Sequence, residues 1–517
     1  MAHNLLSSEV MNTALQRSTT LPTELWQICL MYSDRDDLQQ LLLVCQLFYH
    51  ICRKFLFHRI SFNGIEIKHT MMRHAEEDLQ RLRGAAARFS SLAADPTASE
   101  LRAMVQEYEF KGLIDELDLS SMTHHREKDL IKVIDAYLLV SHSMTSLLPS
   151  LLNLRVLRFS WVDFDDDMWD VLEALPHLNG LSLEDCELTS VRAGQLSLTA
   201  FHCTTKARLF NDYCSTSPVI MKPPCLEVLT LDDAYCTKSI LYSLNSSGTF
   251  EHLTHLAIIV AEEYSASFFA FLPSIPNLSH LRLSRCSTIT QYPNSLPPDI
   301  IPQLTAFEGP CHVSHLFTTG RPVTSVKLLL LTETLYGEMN SFATVDETIS
   351  MISQFSKSRA SLHELSIDYL LPRLDLINPI CQFHRHLRCL DIGLATSFEV
   401  GLEGDVVEPM DYNADGVDDS PDIELDDRGL PKQNPASLQG LVSWIAVGHT
   451  RLPANIEIFR IHYAHHEIDT PLSPARERGM VTRLSELYPL LREVYLGNFV
   501  WQKMKEGWIT MRSMQKH

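Results

Sequence analysis

One short pattern recurs along most of this chain: an apolar residue, two of any kind, an apolar residue, one of any kind, and a third apolar residue. It occurs as LRVLRF (Leu154, Leu157, Phe159), LNGLSL (Leu178, Leu181, Leu183), LEVLTL (Leu226, Leu229, Leu231), LTHLAI (Leu253, Leu256, Ile258) and LSHLRL (Leu278, Leu281, Leu283). LHELSI from Leu362, LRCLDI from Leu387, IEIFRI from Ile456 and LREVYL from Leu491 follow, with degenerate copies at Leu304 and Val323. The better-formed copies start 24, 27, 25 and 25 residues apart (Leu154 to Leu178, Leu226 to Leu253, Leu253 to Leu278, Leu362 to Leu387). At 517 residues the chain is too long for one ordinary core, but not for an array that grows by addition. The last two apolar positions of each triplet lie two apart, so in a strand they point the same way. Stacked strands then pair in parallel, and each repeat buries its face only against its neighbours.

Repeats of this length with this triplet are similar to leucine-rich repeats. Two copies continue into cysteine, as LEDCEL (Cys186) and LSRCST (Cys286), resembling the cysteine-containing subtype. The resemblance makes that cysteine a structural turn residue. LPHL and IPNL before strands read as the ends of return helices. MWDVLEALPHL supplies one such helix, with Met168, Val171, Leu172 and Leu175 inward. The expected fold class is α/β: parallel strands with outer helices in an irregular solenoid over 111–397, final repeats over 436–500, and a tail over 501–517. A connecting helical segment over 63–110 carries Leu79, Leu82, Ala86, Phe89 and Leu92 on one face and ends at Pro96.

Residues 1–19 read as a flexible tail. The stretch LPTELWQICLMYSDRDDLQQLLLVCQLFYHI, from Leu21, is different from both. Pro22 suits a first helical turn, and Glu24 suits the positive end of the helix dipole. Leu25, Ile28, Cys29 and Tyr32 recur at helical spacing. SDRDD then supplies a break and a new N-cap. A second helix carries Leu38, Leu41, Leu42 and Cys45, and a third carries Phe48, Ile51, Phe55 and Leu56. A core of about forty residues is marginal alone, yet this stretch holds more large apolar side chains than three short helices can bury among themselves. The surplus implies a partner surface.

The order Leu21, Pro22, Glu24, Leu25, Ile28, Asp37, Leu38, Leu43, Val44, Cys45, Phe48, Ile51, Phe57, Ile60 resembles an F-box over residues 20–62. Gln46 stands where that family usually has a basic residue, and Phe48 where tryptophan is common. The resemblance implies a three-helix module that docks on the Skp-family adaptor of a Skp–cullin–F-box ubiquitin ligase through Leu21, Pro22, Leu25, Ile28, Leu38, Leu41, Val44, Phe48 and Ile51. With the degenerate repeats behind it, the chain resembles the large F-box families of mushroom-forming fungi, and LTAFEGPCHVSHLFTTGRPVTSVKL in particular looks like them.

From Glu399 to Asp427 there are twelve acidic residues and no basic one, which accounts for more than half of the formal charge of −21. With its proline and glycine, the segment 398–435 reads as a disordered insertion. Within it Asp411, Asn413, Asp415, Gly416 and Asp422 match calcium-loop spacing, where carboxylates converge on a hard cation. Against this, Asp422 is shorter than the usual bidentate glutamate, Asp418 stands where an apolar anchor belongs, and no amphipathic helix flanks the segment. A solvated acidic loop is the competing reading. Thr470 and Ser473 are proline-directed positions open to phosphorylation.

The negative balance argues against a nucleic-acid binder and against an anionic membrane surface. The start of the chain has no signal-peptide pattern, and no apolar run approaches a membrane span. The twelve cysteines, including Cys203, Cys214, Cys225 and Cys236 at equal spacing, lack CxxC pairs and read as reduced thiols. These features predict a cytoplasmic or nuclear protein. His124–His125 and His465–His466 read as surface pairs, and no catalytic motif or cofactor signature stands out. The expectation is a non-catalytic subunit that binds the adaptor, through it a cullin, and an unidentified target. The alternatives are a scaffold that recruits no target for ubiquitination, or a calcium-sensitive repeat protein.

Overall fold

A computed structural model describes residues 22–64, 66–67, 75–112, 114–115, 124–164, 166–188, 196–204, 223–232, 234–245, 248–284, 292–329, 345–370, 374–394, 431, 438–463, 474–496, 499–505 and 507–512. The chain divides into two compact units, Met1–Lys206 with Pro218–Met221, and Ala207–Ser217 with Lys222–His517.

The first unit opens with three short helices, α1 (Thr23–Met31), α2 (Arg35–Leu41) and α3 (Gln46–Leu56). Pro22 stands just before α1, at its N-cap position rather than in its first turn, and the Asp34 carboxylate caps α2 by accepting from the Asp37 N–H at 2.7 Å. Strands β1 (Arg59–Phe62), β2 (Glu66–Ile67), β3 (Glu107–Lys111), β4 (Ile114–Asp115), β5 (Val156–Ser160), β6 (Asp163–Phe164), β7 (Gly180–Glu184), β8 (Glu187–Leu188) and β9 (Ala200–Thr204) follow. Between them lie α4 (Ala75–Ala94), α5 (Ser99–Met104), α6 (His124–Leu147) and α7 (Asp166–Glu173). β1, β3, β5, β7 and β9 pair in parallel in that order. β2–β4 and β6–β8 form two small parallel pairs beside them.

The register explains the triplets. Ile60, Tyr108, Leu157, Leu181 and Phe201 lie opposite one another, and so do Phe62, Phe110, Phe159, Leu183 and Cys203. From Tyr108 onward all of these are buried. Leu79, Leu82, Ala86 and Phe89 of α4 are buried as the helical spacing predicts, and Phe89 meets Phe62 edge-on at 5.8 Å. Met168, Leu172 and Leu175 are buried at and just beyond α7. Cys186 is buried and its S–H donates to the carbonyls of Phe159 and Glu184, both at 3.5 Å. Burial pushes its thiol up to about 12, so it is a turn residue and not a nucleophile.

Three strands of this unit use the same triplet in disguise: Phe57-Ile60-Phe62, Val105-Tyr108-Phe110 and Leu198-Phe201-Cys203. Aromatic and cysteine substitutions hide them from a search for leucine. The region 63–110 therefore holds β2, α4 and α5 followed by the repeat strand β3, and Ile60 lies in the first strand of the sheet.

The second unit runs β10 (Val228–Asp232), α8 (Ala234–Asn245), β11 (His255–Ile259), α9 (Ser265–Phe271), β12 (His280–Ser284), β13 (Ala306–Pro310), α10 (Cys311–Thr318), β14 (Ser325–Leu329), α11 (Val345–Gln354), β15 (Glu364–Leu370), α12 (Leu374–Phe383), β16 (Cys389–Leu394), α13 (Leu438–Ala446), β17 (Ile458–Tyr463), α14 (Pro474–Leu487) and β18 (Glu493–Leu496). Each strand pairs in parallel with the next. Leu229, Leu256, Leu281, Phe307, Val326, Leu365, Leu390, Phe459 and Val494 form one continuous buried row across it. The fold is thus α/β and of the leucine-rich-repeat kind, with degenerate spacing between copies. A second ladder binds neighbouring repeats: the hydroxyls of Thr254, Ser279 and Thr305 each donate to a carbonyl one repeat earlier, Glu227 at 3.2 Å, Thr254 at 3.0 Å and Ser279 at 3.0 Å.

The last residues depart from the expected tail. β19 (Phe499–Met504) and β20 (Gly507–Arg512) form an antiparallel hairpin whose first strand pairs with β18. Trp501 anchors it: the ring is buried, and its Nε1–H donates at 2.9 Å to Glu477 of α14, itself fully buried. The insertion 398–435, and with it Asp411, Asn413, Asp415 and Asp422, lies outside the described residues apart from Pro431. So do residues 1–19, Cys214, Cys286, Thr470 and Ser473.

Two buried ionisable groups generate predictions. Arg321 is fully buried; its N–H groups spread over the carbonyls of Ile300, Leu316, Thr319, Leu296 and Pro297 at 2.7 to 3.3 Å. Arg321→Met leaves these acceptors unpaired and is expected to cost about 3 kcal/mol, read as a lower urea midpoint. Burial pushes the Glu477 carboxyl from 4.5 up to about 7. The folded state therefore holds that proton more tightly than the unfolded chain, and this stabilisation fades as pH rises from about 4.5 through about 7. Glu477→Gln keeps an acceptor for Trp501 and cannot ionise. Its melting temperature is expected to gain on that of the wild type between pH 5 and pH 8.

Candidate functional site

Two surfaces stand out, one in each unit. The first is the helical module α1–α3. It has a core of its own, built from Leu30, Leu38, Ile51 and Cys52, with Trp26, Leu41, Leu42, Phe48, Phe55 and Leu56 partly buried against it. Trp26 meets Phe48 edge-on at 5.0 Å. In α2 and α3 the stripes that helical spacing picks out form this core, but in α1 the stripe Leu25, Ile28, Cys29 and Tyr32 faces away from it. Leu25 is 44% exposed, Ile28 54% and Val44 64%, and Met31, Tyr32, Leu43, Leu47, Tyr49 and Phe57 are exposed as well. So many large apolar side chains left in water on one small module mark an interaction surface.

The structure divides the predicted docking residues into two groups. Pro22, Leu25, Ile28 and Val44 are exposed. Leu41 and Phe48 are half-buried against the core. Leu38 and Ile51, placed on the docking face by the sequence reading, are only 6% and 3% exposed and hold the module together instead. Periodicity alone cannot tell which of two apolar stripes turns inward. Leu21 lies outside the described residues. Sequence reasoning missed Leu30 and Trp26 as core, and Met31, Leu43 and Leu47 as surface.

The second surface is the outward side of the second unit's sheet. Alternate residues leave the core and line a trough of about 680 Å³ from β10 to β17. His255 and His280, opposite one another, stack at 4.2 Å with planes 8° apart. Thr254 and Ser279 hydrogen-bond the two Nδ1 atoms, each at 2.8 Å. Each hydroxyl also lies within hydrogen-bond reach of a carbonyl one repeat earlier, Glu227 and Thr254 respectively. Burial, then the neighbouring ring of His255, push the His280 imidazole down.

A ladder of opposite charges runs over neighbouring outward rows. Arg282 lies 3.5 Å from Glu308, Lys327 lies 3.4 Å from Glu308 and 3.5 Å from Asp368, and Arg460 lies 2.7 Å from Glu493 and 3.8 Å from Asp391. His462 Nε2 lies 3.3 Å from Asp391. Burial pushes the Asp368 carboxyl up against the pull of Lys327, and Asp391 beside it adds to the rise. Cys389, at the edge of the trough, is pushed up to about 11 by burial. Among the described residues no group of His, Cys, Asp and Glu has metal-site geometry, and no helix is long and apolar enough to cross a membrane.

No protein-family model matches the chain, and no curated protein matches it. Among solved structures, a TLR13–ssRNA13 complex shares 12% identity over 76% of this chain and 64% of that one, with a TM-score of 0.23. This chain spans less than two thirds of the length of that neighbour, and a likeness of that size has no bearing on function. What the geometry itself defines is a repeat scaffold of the leucine-rich-repeat kind, whose outward sheet face is lined by imidazoles and charged side chains.

Substitutions separate the module's core from its surface. Leu38→Ala is expected to cost about 2–5 kcal/mol, and Val44→Ala about 0.5 kcal/mol or less, measured by chemical denaturation.

Proposed function

We propose that the chain is the substrate-recognition subunit of a Skp–cullin–F-box ubiquitin ligase, with α1–α3 on the Skp-family adaptor and the repeat sheet holding the target. The observation that carries this reading is the module's exposed apolar stripe. Leu25, Ile28 and Val44 fall in the F-box-like order and face solvent, while the core beneath them is already complete. The subunit's contribution is proximity: it holds a target beside a charged ubiquitin carrier and raises the effective concentration of the reacting groups. That task requires two docking faces and no catalytic side chain. The cytoplasmic or nuclear placement follows from the same role.

The test must spare the module's core. Phe48 is unsuitable because it packs on Trp26. A pull-down of the full chain and of Ile28→Asp/Val44→Asp, with adaptor and cullin as readouts, meets this requirement. The wild type is expected to retain both, and the variant to lose at least about tenfold in adaptor affinity at unchanged melting temperature. No adaptor on the wild type, or full binding by the variant, refutes the docking role. Adaptor and cullin retained without turnover of any bound target favours the scaffold.

A further inference from the structure

The hairpin β19–β20 is seated on a buried carboxyl. Glu477 of α14 is fully buried, and so is nearly all of Trp501 of β19, whose Nε1–H donates to Glu477 Oε2 at 2.9 Å. The second carboxyl oxygen, Oε1, is buried with no hydrogen-bond partner. The hairpin's other indole, Trp508 of β20, likewise keeps its Nε1–H buried and unpartnered.

Neighbouring charges do not offset that burial. α13 packs on α14 and has no ionisable residue (LQGLVSWIA); the side-chain oxygen of its Gln439 faces Arg476 of α14. Arg478, Arg483 and Glu486 follow along α14, the first and last of them exposed. Glu493 of β18 stands on the trough side and pairs with Arg460 of β17. Lys503 of β19 reaches the Pro489 carbonyl at 3.4 Å and lies 5.9 Å from the centre of the Trp508 ring. Arg512 of β20 pairs in register with Phe499. Burial therefore outweighs the indole bond and pushes the Glu477 carboxyl up to about 7.

We propose that Glu477 is a proton-operated latch: when its carboxyl ionises, the hairpin β19–β20 lifts off α14 and leaves the edge of β18 open. Ionisation in place would leave a buried charge with one oxygen unpaired, and reaching water relieves it. The hairpin is the element that can yield. α14 is a repeat helix, packed on α13 and followed by β18, whereas β19–β20 is held to the sheet by the four residue pairs between β18 and β19. Lifting it wets Glu477 and spares the parallel strands. With the carboxyl at about 7 when covered and near its ordinary 4.5 when wet, opening becomes about tenfold easier between pH 6 and pH 8.5. The latch depends on neither the adaptor nor the target.

Amide hydrogen exchange on the full-length protein tests this, with labelling times scaled for the pH dependence of chemical exchange. Between pH 6 and pH 8.5 the amides of β19 (Phe499–Met504) are expected to lose about tenfold in protection, while those of β12 (His280–Ser284) keep theirs. Glu477→Gln, which cannot ionise, is expected to hold the protection of β19 constant to within about twofold. If that variant does not fold, the wild-type hairpin measured against β12 decides the matter. Three results overturn the proposal: a wild-type hairpin equally protected at both pH values, a hairpin and β12 that lose protection together, or a Glu477→Gln hairpin that loses as much as the wild type.

Discussion

Every other feature here depends on one constraint: a single strand of this kind has two inward side chains and no way to bury them alone. Leu256 and Ile258 leave water only because Leu229 and Leu231 lie on one side and Leu281 and Leu283 on the other. Parallel, in-register pairing brings these rows together, and a slip of one residue would turn every leucine outward. The backbone enforces the same register independently. The N–H groups of both Thr254 and His255 bond to the Glu227 carbonyl, and those of Ser279 and His280 repeat this on Thr254. The hydroxyl ladder adds a third bond to the same carbonyls. The hairpin β19–β20 then covers the last parallel strand, whose edge would otherwise stay open for another chain.

Once the inward row and its hydrogen bonds are satisfied, the outward row is free of structural duty. Ion pairs such as Arg282–Glu308 are exposed and contribute about 0–1 kcal/mol at most, so stability does not explain them. Lys327 pairs with Glu308 of β13 and Asp368 of β15, and Arg460 pairs with Asp391 of β16 and Glu493 of β18, so each cation bridges the strands on either side of its own.

Eleven of the parallel strands were legible from the leucine spacing because in them the inward positions are aliphatic or keep enough of the triplet. β1, β3 and β9 were not, because phenylalanine, tyrosine and cysteine serve the same inward positions there: Phe110 stacks on Phe62 at 4.9 Å and meets Phe159 edge-on at 6.5 Å. A wider definition of apolar would have found all three. The hairpin was missed for another reason, since its partner is fixed by tertiary contact: Trp501 is placed by Glu477, twenty-four residues earlier. In the module the sequence showed that apolar side chains were in surplus, but not which ones were surplus. Leu30 and Ile28 differ by two positions on one helix, and only packing decides that the first goes in and the second stays out.

The module is not attached by a loose linker. α3 ends at Leu56 and β1 begins at Arg59, and the His58 carbonyl between them accepts from the N–H groups of both Gln106 and Glu107, at 2.9 and 3.0 Å. Arg53 of α3 reaches across to Glu100 of α5 at 3.1 Å, and Arg59 pairs with Glu109 of β3. The three helices therefore continue into the first strands of their unit through hydrogen bonds rather than through flexible chain. Two residues, Phe57 and His58, separate the third helix from the first strand, so the helices enter the sheet with no linker between.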